Sequence, residues 1–311
     1  MCVYISVDRS IRGSGLSLAG LSTLAVETAP RLWERYQKER ERVTVPAAHK
    51  PNPKVWDDVG LHAAWLGHST VLLKIEGVTI VTDPVFSDRV GLEVGPITFG
   101  LKRIVAPALT RKETPHPDIV LLSHAHMDHF DLPSLRSLES PGTNVVTASK
   151  TSDLLRSRYR TIHELAWGDE VRFGAVAIRA FQVNHWGARM RSDTYRGFNG
   201  YVIETPRYRV VFGGDTAMTD SFRQLRNSRG VDLAIMPIGA YNPWIRAHCT
   251  PEQALRMSED VGAKVLLPVH HQTFQLSSEP YAEPLERLME AVQGDLSRLA
   301  LSAIGAEFHA G

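Results

Sequence analysis

Short apolar runs separated by turn residues recur from residue 55 onward, and their alternation or continuous apolar character predicts β-strands. The first three runs, Leu61–Leu66, Val71–Glu76 and Val78–Thr82, are joined by very short turns, which predicts an antiparallel start to a sheet. Later runs alternate with segments of helical spacing. Hairpins followed by strand–helix alternation occur twice, so we expect two mixed sheets that face one another, with helices outside.

The later elements follow from the same patterns. Strands are predicted over Asp118–Leu122, Asn144–Ala148, Glu170–Phe173, Val176–Val183, Gly197–Glu204, Tyr208–Phe212, Val231–Met236, Lys264–Val269 and Leu299–Ile304. Helices are predicted over Leu132–Leu138, Thr151–Arg158, Pro251–Val261 and Glu283–Val292. Val85–Thr114 has scattered Gly and Pro without a period, and we predict a long loop over the functional site there.

Composition restricts the function classes. The chain is 43% hydrophobic and 22% charged, which is typical of a globular protein, and its net charge of +1 gives no general reason to expect a nucleic-acid partner. Cys2 and Cys249 are too few and too far apart for a disulfide framework. A reducing, cytoplasmic location is therefore the first expectation.

The densest group of ligand-type side chains follows the predicted strand Asp118–Leu122. His124, His126, Asp128 and His129 lie within six positions. In an extended turn, residues two apart point the same way, so the first two histidines can face one point. Imidazole and carboxylate groups suit zinc, with iron and manganese as second choices. A plain polar loop is the alternative, but such loops rarely hold these residues so densely, and we predict a metal site.

Three further candidates each follow an apolar strand. These are His185, Asp215 and His270. Each one alone also fits a surface residue or a simple turn. Because active sites in α/β architectures concentrate at the C-terminal ends of strands, their joint occurrence favours one cleft that holds two metals. Two divalent metals about 3.5–4 Å apart can share one water and lower its pKa to near 7, which supplies a bridging hydroxide as nucleophile.

The HxHxDH pattern, a later single histidine, a Gly-Asp element and a final strand-end histidine resemble the metallo-β-lactamase fold of metal-dependent hydrolases over residues 55–274. The resemblance implies an α/β protein with a four-layer αβ/βα sandwich and a dinuclear zinc site at the edge between the sheets. It implies these ligands: His124, His126 and His185 on one zinc, Asp128, His129 and His270 on the other, and Asp215 bridging both. The redox di-iron branch has glutamate where this chain has His126, which favours a hydrolase.

A narrower resemblance points to the N-acyl-phosphatidylethanolamine phospholipase D branch. It rests on these segments: Trp65–Thr70, Thr82–Pro84, His185–Arg189, and His248 shortly before Thr250 and Pro251. The closing segment of that branch reads His-Trp-Gly-Thr-Phe, but here His271 and Gln272 replace Trp and Gly. The lipid substrate of the animal enzyme is therefore not carried over directly. Bacterial hydrolases with unassigned substrates belong to the same branch, and a sugar-acid lactonase is a nearby relative.

Roles for individual residues follow from this site. Asp128 is expected to be both ligand and proton acceptor, and His248 to contact the scissile group or protonate the leaving oxygen. A histidine that merely lies near the helix start at Thr250 is the equal alternative for His248. His68, Asp83 and His271 are expected to support the ligands. Trp186, Arg189 and Tyr241 are expected to line a substrate pocket, with an ion pair as the alternative for Arg189 and packing for Tyr241.

The leading hypothesis is a zinc-dependent phosphodiesterase, phospholipase D-like, that acts on a small-molecule or lipid-like substrate. The second is a lactonase or another hydrolase of cyclic esters or amides. A nuclease comes third, since no nucleic-acid module is present and no nucleic-acid partner is expected. A metal-bound structural or sensing module is the non-enzymatic alternative, which the full set of candidate ligands disfavours.

Residues 1–54 are predicted to be a leader, a charged helix and a Pro-rich linker, followed by one hydrolase domain over residues 55–311. Arg9 and Arg12 precede the apolar run Gly13–Val26, which has the outline of a signal sequence without a convincing cleavage site. Export is therefore the second interpretation. The helix at Arg31–Arg42 is expected to pack on the body or to make a peripheral membrane contact.

Overall fold

Two β-sheets form the body of the protein. The computed structural model describes residues 37, 39–94, 97–155 and 158–311. The strands are β1 (Leu61–Gly67), β2 (Thr70–Ile75), β3 (Val78–Thr82), β4 (Arg89–Val94), β5 (Ile97–Lys102), β6 (Ile119–Leu121), β7 (Asn144–Ala148), β8 (Thr161–Leu165), β9 (Glu170–Phe173), β10 (Val176–Phe181), β11 (Gly200–Glu204), β12 (Arg209–Phe212), β13 (Val231–Pro237), β14 (Ala263–Val269) and β15 (Glu307–Ala310). The helices with described bounds are α1 (Leu132–Leu138), α2 (Ser221–Gln224), α3 (Pro251–Val261) and α4 (Glu283–Ala291).

The strands are arranged in the two mixed sheets that the sequence predicts. The first sheet has the order β15-β1-β2-β3-β6-β7-β8, the second has the order β14-β13-β12-β11-β10-β9, and β4 pairs with β5 in a separate hairpin. In the first sheet β3, β6, β7 and β8 are parallel, and in the second β12, β13 and β14 are parallel. The other neighbours are antiparallel.

Alternating side chains divide each strand between two layers of packing. In β12, Val210 and Phe212 enter the core between the sheets, whereas Val211 packs on the opposite side with Leu255 and Met257 of α3. Side chains of the first sheet are divided in the same way between the core that separates the sheets and the packing against α1. Because successive strand residues point to opposite faces, each sheet is covered by the other sheet on one face and by helices on the other. This confirms the predicted four-layer sandwich.

The helix starts follow the capping signals in the sequence. Asp131 accepts a hydrogen bond from Ser134 N at the start of α1. Thr250 and Gln253 form a reciprocal capping box at the start of α3, and Gly262 ends that helix in the left-handed region with a φ of 78°. The bounds predicted for both helices are confirmed.

The prediction of a continuous loop over Val85–Thr114 was wrong, because this segment contains the β4–β5 hairpin. Gly91 and Gly100 lie directly opposite one another in the hairpin. A Cβ atom at Gly100 would lie 2.0 Å from the carbonyl oxygen of Val90, so the close approach requires glycine. These glycines weaken the strand signal in the sequence, although the hairpin itself depends on them.

Two other elements differ from prediction. Of the predicted helix Thr151–Arg158, the described residues contain only a 3-10 turn at Ser152–Leu154, and the strand β8 that follows was missed. The Glu164 side chain accepts the backbone N–H groups of residues 150–152, which holds the chain in a tight turn. The last strand lies at β15 instead of Leu299–Ile304, where Leu299 makes only an isolated bridge to Leu266.

The predicted N-terminal leader and signal-like run lie outside the described residues, as does most of the charged helix at Arg31–Arg42. The Pro-rich segment that follows lies against the body, since Val45 and residues 104 and 106 exchange backbone hydrogen bonds of 2.8 and 2.7 Å. None of the helices in the described ranges has the length and apolar character needed to cross a bilayer.

One side chain joins the two sheets close to the predicted metal-binding segment. The Tyr201 hydroxyl on β11 donates to Leu122 O at the end of β6 and accepts from Asn199 Nδ2, at 2.8 and 3.1 Å. We predict that Tyr201→Phe lowers the free energy of unfolding by about 1–2 kcal/mol, because a buried carbonyl loses its partner. Urea unfolding measures this change. Tyr195→Phe deletes the same atom at a residue with 56% exposure and is the control; equal effects of the two substitutions would contradict the prediction.

Candidate metal centre

The ends of strands from both sheets meet at one edge of the sandwich. In the first sheet β1, β3 and β6 run in the same direction, and in the second β10, β12 and β14 do so. Each of these strands carries a candidate residue shortly after its C-terminal end: His68, Asp83, His124, His185, Asp215 and His270. The topology therefore brings together residues that are far apart in the sequence.

A first group of donor atoms consists of His124, His126, His185 and Asp215, whose ligand atoms all lie within 4.8 Å of one another. Nδ1 of His126 is 2.8 Å from Nε2 of His124 and 3.3 Å from Nε2 of His185. His124, His126 and Asp215 are buried, and the His185 imidazole is 0% exposed. The residues that the resemblance assigns to one metal are thus brought together, with Asp215 beside them.

Hydrogen bonds determine which ring nitrogen of His124 and of His185 faces the centre, that is, the space enclosed by the donor atoms of the two groups. The Ser123 hydroxyl donates to Asp83 Oδ2 at 2.6 Å, so its oxygen accepts from His124 Nδ1 at 2.8 Å. His185 Nδ1 donates to Ala247 O at 2.8 Å. Since each neutral imidazole has one N–H, Nε2 of both rings presents a lone pair to the centre, as a metal ligand must.

The second group consists of His68, Asp128, His129 and His270. His129 Nδ1 donates to Asp83 Oδ2 at 2.7 Å, which leaves Nε2 directed to the centre. His68 Nε2 lies 3.1 Å from Asp128 Oδ2 and donates to that carboxylate. Asp128, His129 and His270 are the residues that the resemblance assigns to the second metal, and His68 orients one of them.

Asp215 Oδ2 lies between the two groups. It is 3.1 Å from His129 Nε2 and 3.2 Å from His270 Nε2 in the second group, and 3.8 Å from His185 Nε2 in the first. Gly214, directly before it, has a φ of +56°, and a Cβ atom there would lie 2.8 Å from Ser123 Cβ. Glycine at position 214 therefore allows the chain to deliver this carboxylate to a central position.

The pKa shifts in the centre follow from burial and from the charges of neighbouring groups. Burial opposes ionisation of Asp215, but the charges of His129 and His270 hold the pKa of that carboxyl well below its usual range. Burial would lower the pKa of His270, yet Asp215 and Asp128 raise it to about 9. Burial lowers the pKa of the three rings in the first group, to about 4 for His185 and well below the usual value for His124 and His126. Burial also acts to lower the pKa of His129, but Asp215 and Asp128 raise it well above its usual value. Ionised carboxylates, the positively charged imidazoles of His129 and His270, and neutral imidazoles of the first group are thus combined in one buried place.

This arrangement fits divalent cations. Among the described residues, His129 Nε2, His270 Nε2 and Asp215 Oδ1 are buried without a hydrogen bond of regular geometry. Burying unsatisfied polar atoms costs free energy, and a cation held by these atoms would remove that cost. Nitrogen and carboxylate donors of this kind are the ligands that zinc takes.

The other predicted site residues have different surroundings. His248 Nδ1 is 3.8 Å from Asp215 Oδ2, and its ring stacks on His270 with 5.4 Å between centroids. Trp186 stacks on His185 at 4.5 Å and contacts His126 edge-to-face at 4.9 Å. Both residues therefore lie beside the donor groups.

Three predicted residues lie further from the centre. The Tyr241 hydroxyl donates to Glu283 Oε1 at 2.7 Å, so its polar end is tied to α4. His271 stacks on Trp65 at 4.5 Å, and neither of its buried nitrogens has a hydrogen-bond partner in the described part of the chain. Its support of the site is therefore packing and not a hydrogen bond to a ligand ring. Arg189 donates to two backbone carbonyls instead of facing the donor groups.

Sequence reasoning missed Ser123 and Ala247, which orient His124 and His185. Ser123 carries a weak signal, because a hydroxyl directly before a ligand histidine can reach its Nδ1 atom. Ala247 acts through its backbone carbonyl, for which the residue type gives no signal.

Comparison with known proteins shows which sequences this chain is similar to. The sequence model of the beta-lactamase superfamily domain matches residues 78–271. An uncharacterized protein of Mycobacterium tuberculosis is 33% identical over 288 residues, which cover 88% of this chain and 76% of that protein. N-acyl-phosphatidylethanolamine-hydrolyzing phospholipase D 1 of Caenorhabditis elegans is 30% identical over 268 residues, covering 79% of this chain and 74% of that enzyme.

Solved structures share the fold at lower identity. The isothiocyanate hydrolase from Delia radicum gut bacteria has a TM-score of 0.64 and 19% identity, covering 80% of this chain and all of that one (100%). The metallo hydrolase Igni18 of Ignicoccus hospitalis has a TM-score of 0.60 and 18% identity, with 81% and 99% coverage. The chain therefore belongs to the beta-lactamase superfamily, as a metallo-β-lactamase-fold hydrolase whose sequence resembles N-acyl-phosphatidylethanolamine-hydrolyzing phospholipase D.

Proposed function

We propose that the protein is a zinc-dependent phosphodiesterase, phospholipase D-like, that acts on a small-molecule or lipid-like substrate. The observation that carries this proposal is the position of Asp215 Oδ2 within 3.8 Å of ring nitrogens from both donor groups. A shared carboxylate favours two cations over one. The relationship to the Caenorhabditis elegans enzyme supports a phosphodiester bond as the reacting group.

The first donor group would hold one zinc through its three histidines, the second would hold the other through Asp128, His129 and His270, and Asp215 would bridge them. Bound zinc ions supply Lewis acidity, which lowers the pKa of water and offsets negative charge that develops on a phosphodiester. Two cations match a phosphodiester well, because they can offset the negative charge of the attacking oxygen and the negative charge that develops on the leaving oxygen.

The side chains of the site have distinct tasks. Asp128 accepts a proton from the attacking water through its carboxylate, which His68 orients by a 3.1 Å hydrogen bond. His248 lies beside Asp215 with Nδ1 buried and without a regular hydrogen bond among the described residues, so it can donate to the scissile group or leaving oxygen. Trp186, half-buried over two ligand rings, provides an apolar wall for the part of the substrate next to the reacting group.

Metal content measured together with a substrate panel tests the proposal. We expect about two zinc ions per chain and turnover of a bis-aryl phosphodiester that a chelator abolishes and zinc restores. The panel also contains a phosphomonoester, a simple lactone and a β-lactam chromophore. Turnover of the lactone alone would move the assignment to the lactonase class with the same centre. One metal or none, without turnover, would contradict the proposed function.

We predict that His185→Ala lowers the bound zinc from two toward one per chain. The substitution removes one of three histidine donors from the first group and leaves the second group intact. Metal analysis after dialysis measures the change. His116→Ala, an exposed histidine outside both groups, is the matched control and should retain two zinc ions; two full equivalents in His185→Ala would show that the ligand is misplaced.

We predict that Asp128→Asn keeps much of the metal but lowers kcat by about 10²–10⁴-fold, as expected for loss of a general base. The amide retains an oxygen donor of the same size and cannot accept the proton. Steady-state kinetics at saturating zinc, with bound metal measured on the same sample, provide the comparison. Unchanged turnover in this variant would exclude the proposed role of Asp128.

A further inference from the structure

Arg189 contacts the segment that carries most of the candidate ligands. Its Nη1 atom donates to Phe130 O at 2.8 Å and to Ala125 O at 3.1 Å. These two carbonyls enclose the ligand turn, which we define as residues 126–130. His126, Asp128 and His129 all project from this turn.

The ligand turn has few internal constraints of its own. Phe130 N and His129 N both donate to His126 O, at 2.7 and 3.1 Å, and these bonds close a single turn of chain. They do not fix how the turn is set against the strand before it or the helix after it. Ala125 O precedes the turn and Phe130 O ends it, so one guanidinium nitrogen bound to both holds its two ends at a fixed separation.

The surroundings of Arg189 agree with a structural task for its charge. In the described part of the chain, no carboxylate oxygen lies within ion-pair distance of its guanidinium. Its positive charge therefore acts on the two carbonyl dipoles. Burial lowers its pKa, although Asp131, Glu93 and Asp193 act in the opposite direction. A planar guanidinium with fixed N–H directions suits two carbonyl acceptors better than an ammonium group does.

We propose that Arg189 is a positioning residue for the candidate metal centre. By holding both ends of the ligand turn, it keeps the His126 side chain in the first donor group and the Asp128 side chain in the second. The inference rests on the proposed metal-dependent function, but not on the nature of the substrate. It differs from the sequence-based expectation that this arginine lines a substrate pocket.

The test compares Arg189→Gln and Arg189→Lys with Arg191→Gln, an exposed arginine on the same segment. Zinc affinity is measured by competition with a chromophoric chelator, without reference to turnover. We expect Arg189→Gln to bind zinc about 10–100-fold more weakly, as for other residues that orient ligands. Arg189→Lys should lie between this variant and the wild type, since lysine can donate to the same carbonyls. Arg191→Gln should behave like the wild type.

Kinetics distinguish positioning from substrate binding. At saturating zinc, we expect Arg189→Gln to lower kcat with KM for the anionic phosphodiester unchanged. An anion-binding arginine predicts the opposite: a raised KM for the phosphodiester with zinc affinity unchanged. That result would overturn the inference.

Two further outcomes are decisive. If Arg189→Gln does not fold, zinc affinity of Arg189→Lys equal to that of the wild type would overturn the inference. If the wild-type protein binds no zinc, the proposed function itself fails. If it binds two zinc ions and all three variants bind them equally, only the role of Arg189 fails.

Discussion

The buried carboxylate of Asp83 is the constraint on which the geometry of the centre depends. It accepts hydrogen bonds from the backbone and hydroxyl of Ser123, at 2.7 and 2.6 Å, and from His129 Nδ1 at 2.7 Å. Because Ser123 donates its single hydroxyl proton to Asp83, the hydroxyl oxygen accepts a hydrogen bond from His124 Nδ1. One carboxylate that is itself outside the predicted ligand set therefore orients an imidazole in each donor group. Burial raises the pKa of Asp83, while the bond from His129 opposes that rise.

The same edge of the sandwich carries backbone strain. Asp83, His68 and His270 have φ values of 32°, 53° and 63°, in the region that favours glycine. Each costs of order 1 kcal/mol or more relative to ordinary backbone. The apolar core between the sheets offsets this cost, and local bonds hold the strained residues: His270 N donates to His68 O at 3.0 Å, and His68 N donates to Thr273 Oγ1 at 2.7 Å. The strain lies where side chains from two sheets must converge.

The sequence allowed prediction of what depends on local pattern. Strands with clear alternation and helices with caps could be located, and candidate ligand residues could be proposed directly after strands, because each signal lies within a few residues. The predictions that failed concern features that depend on residues far away in the sequence. The β4–β5 hairpin depends on the Gly91–Gly100 approach, β15 on pairing with β1, and the contacts of Arg189 on carbonyls about 60 residues away. An arginine in the sequence gives no indication whether its side chain will contact a substrate or the backbone of the protein.

The departure from the family pattern after His270 can be explained in the same terms. Gln272, where the related branch has glycine, has a φ of 54°, so the backbone keeps a conformation for which glycine is better suited. His271, where that branch has tryptophan, places an aromatic ring on Trp65. The Tyr281 hydroxyl donates to Gln272 O at 3.0 Å and helps to hold the segment. The backbone path and the ring stacking next to His270 are therefore compatible with histidine and glutamine at these positions. Both residues line the cleft next to His270, so the two replacements change the chemistry of that surface.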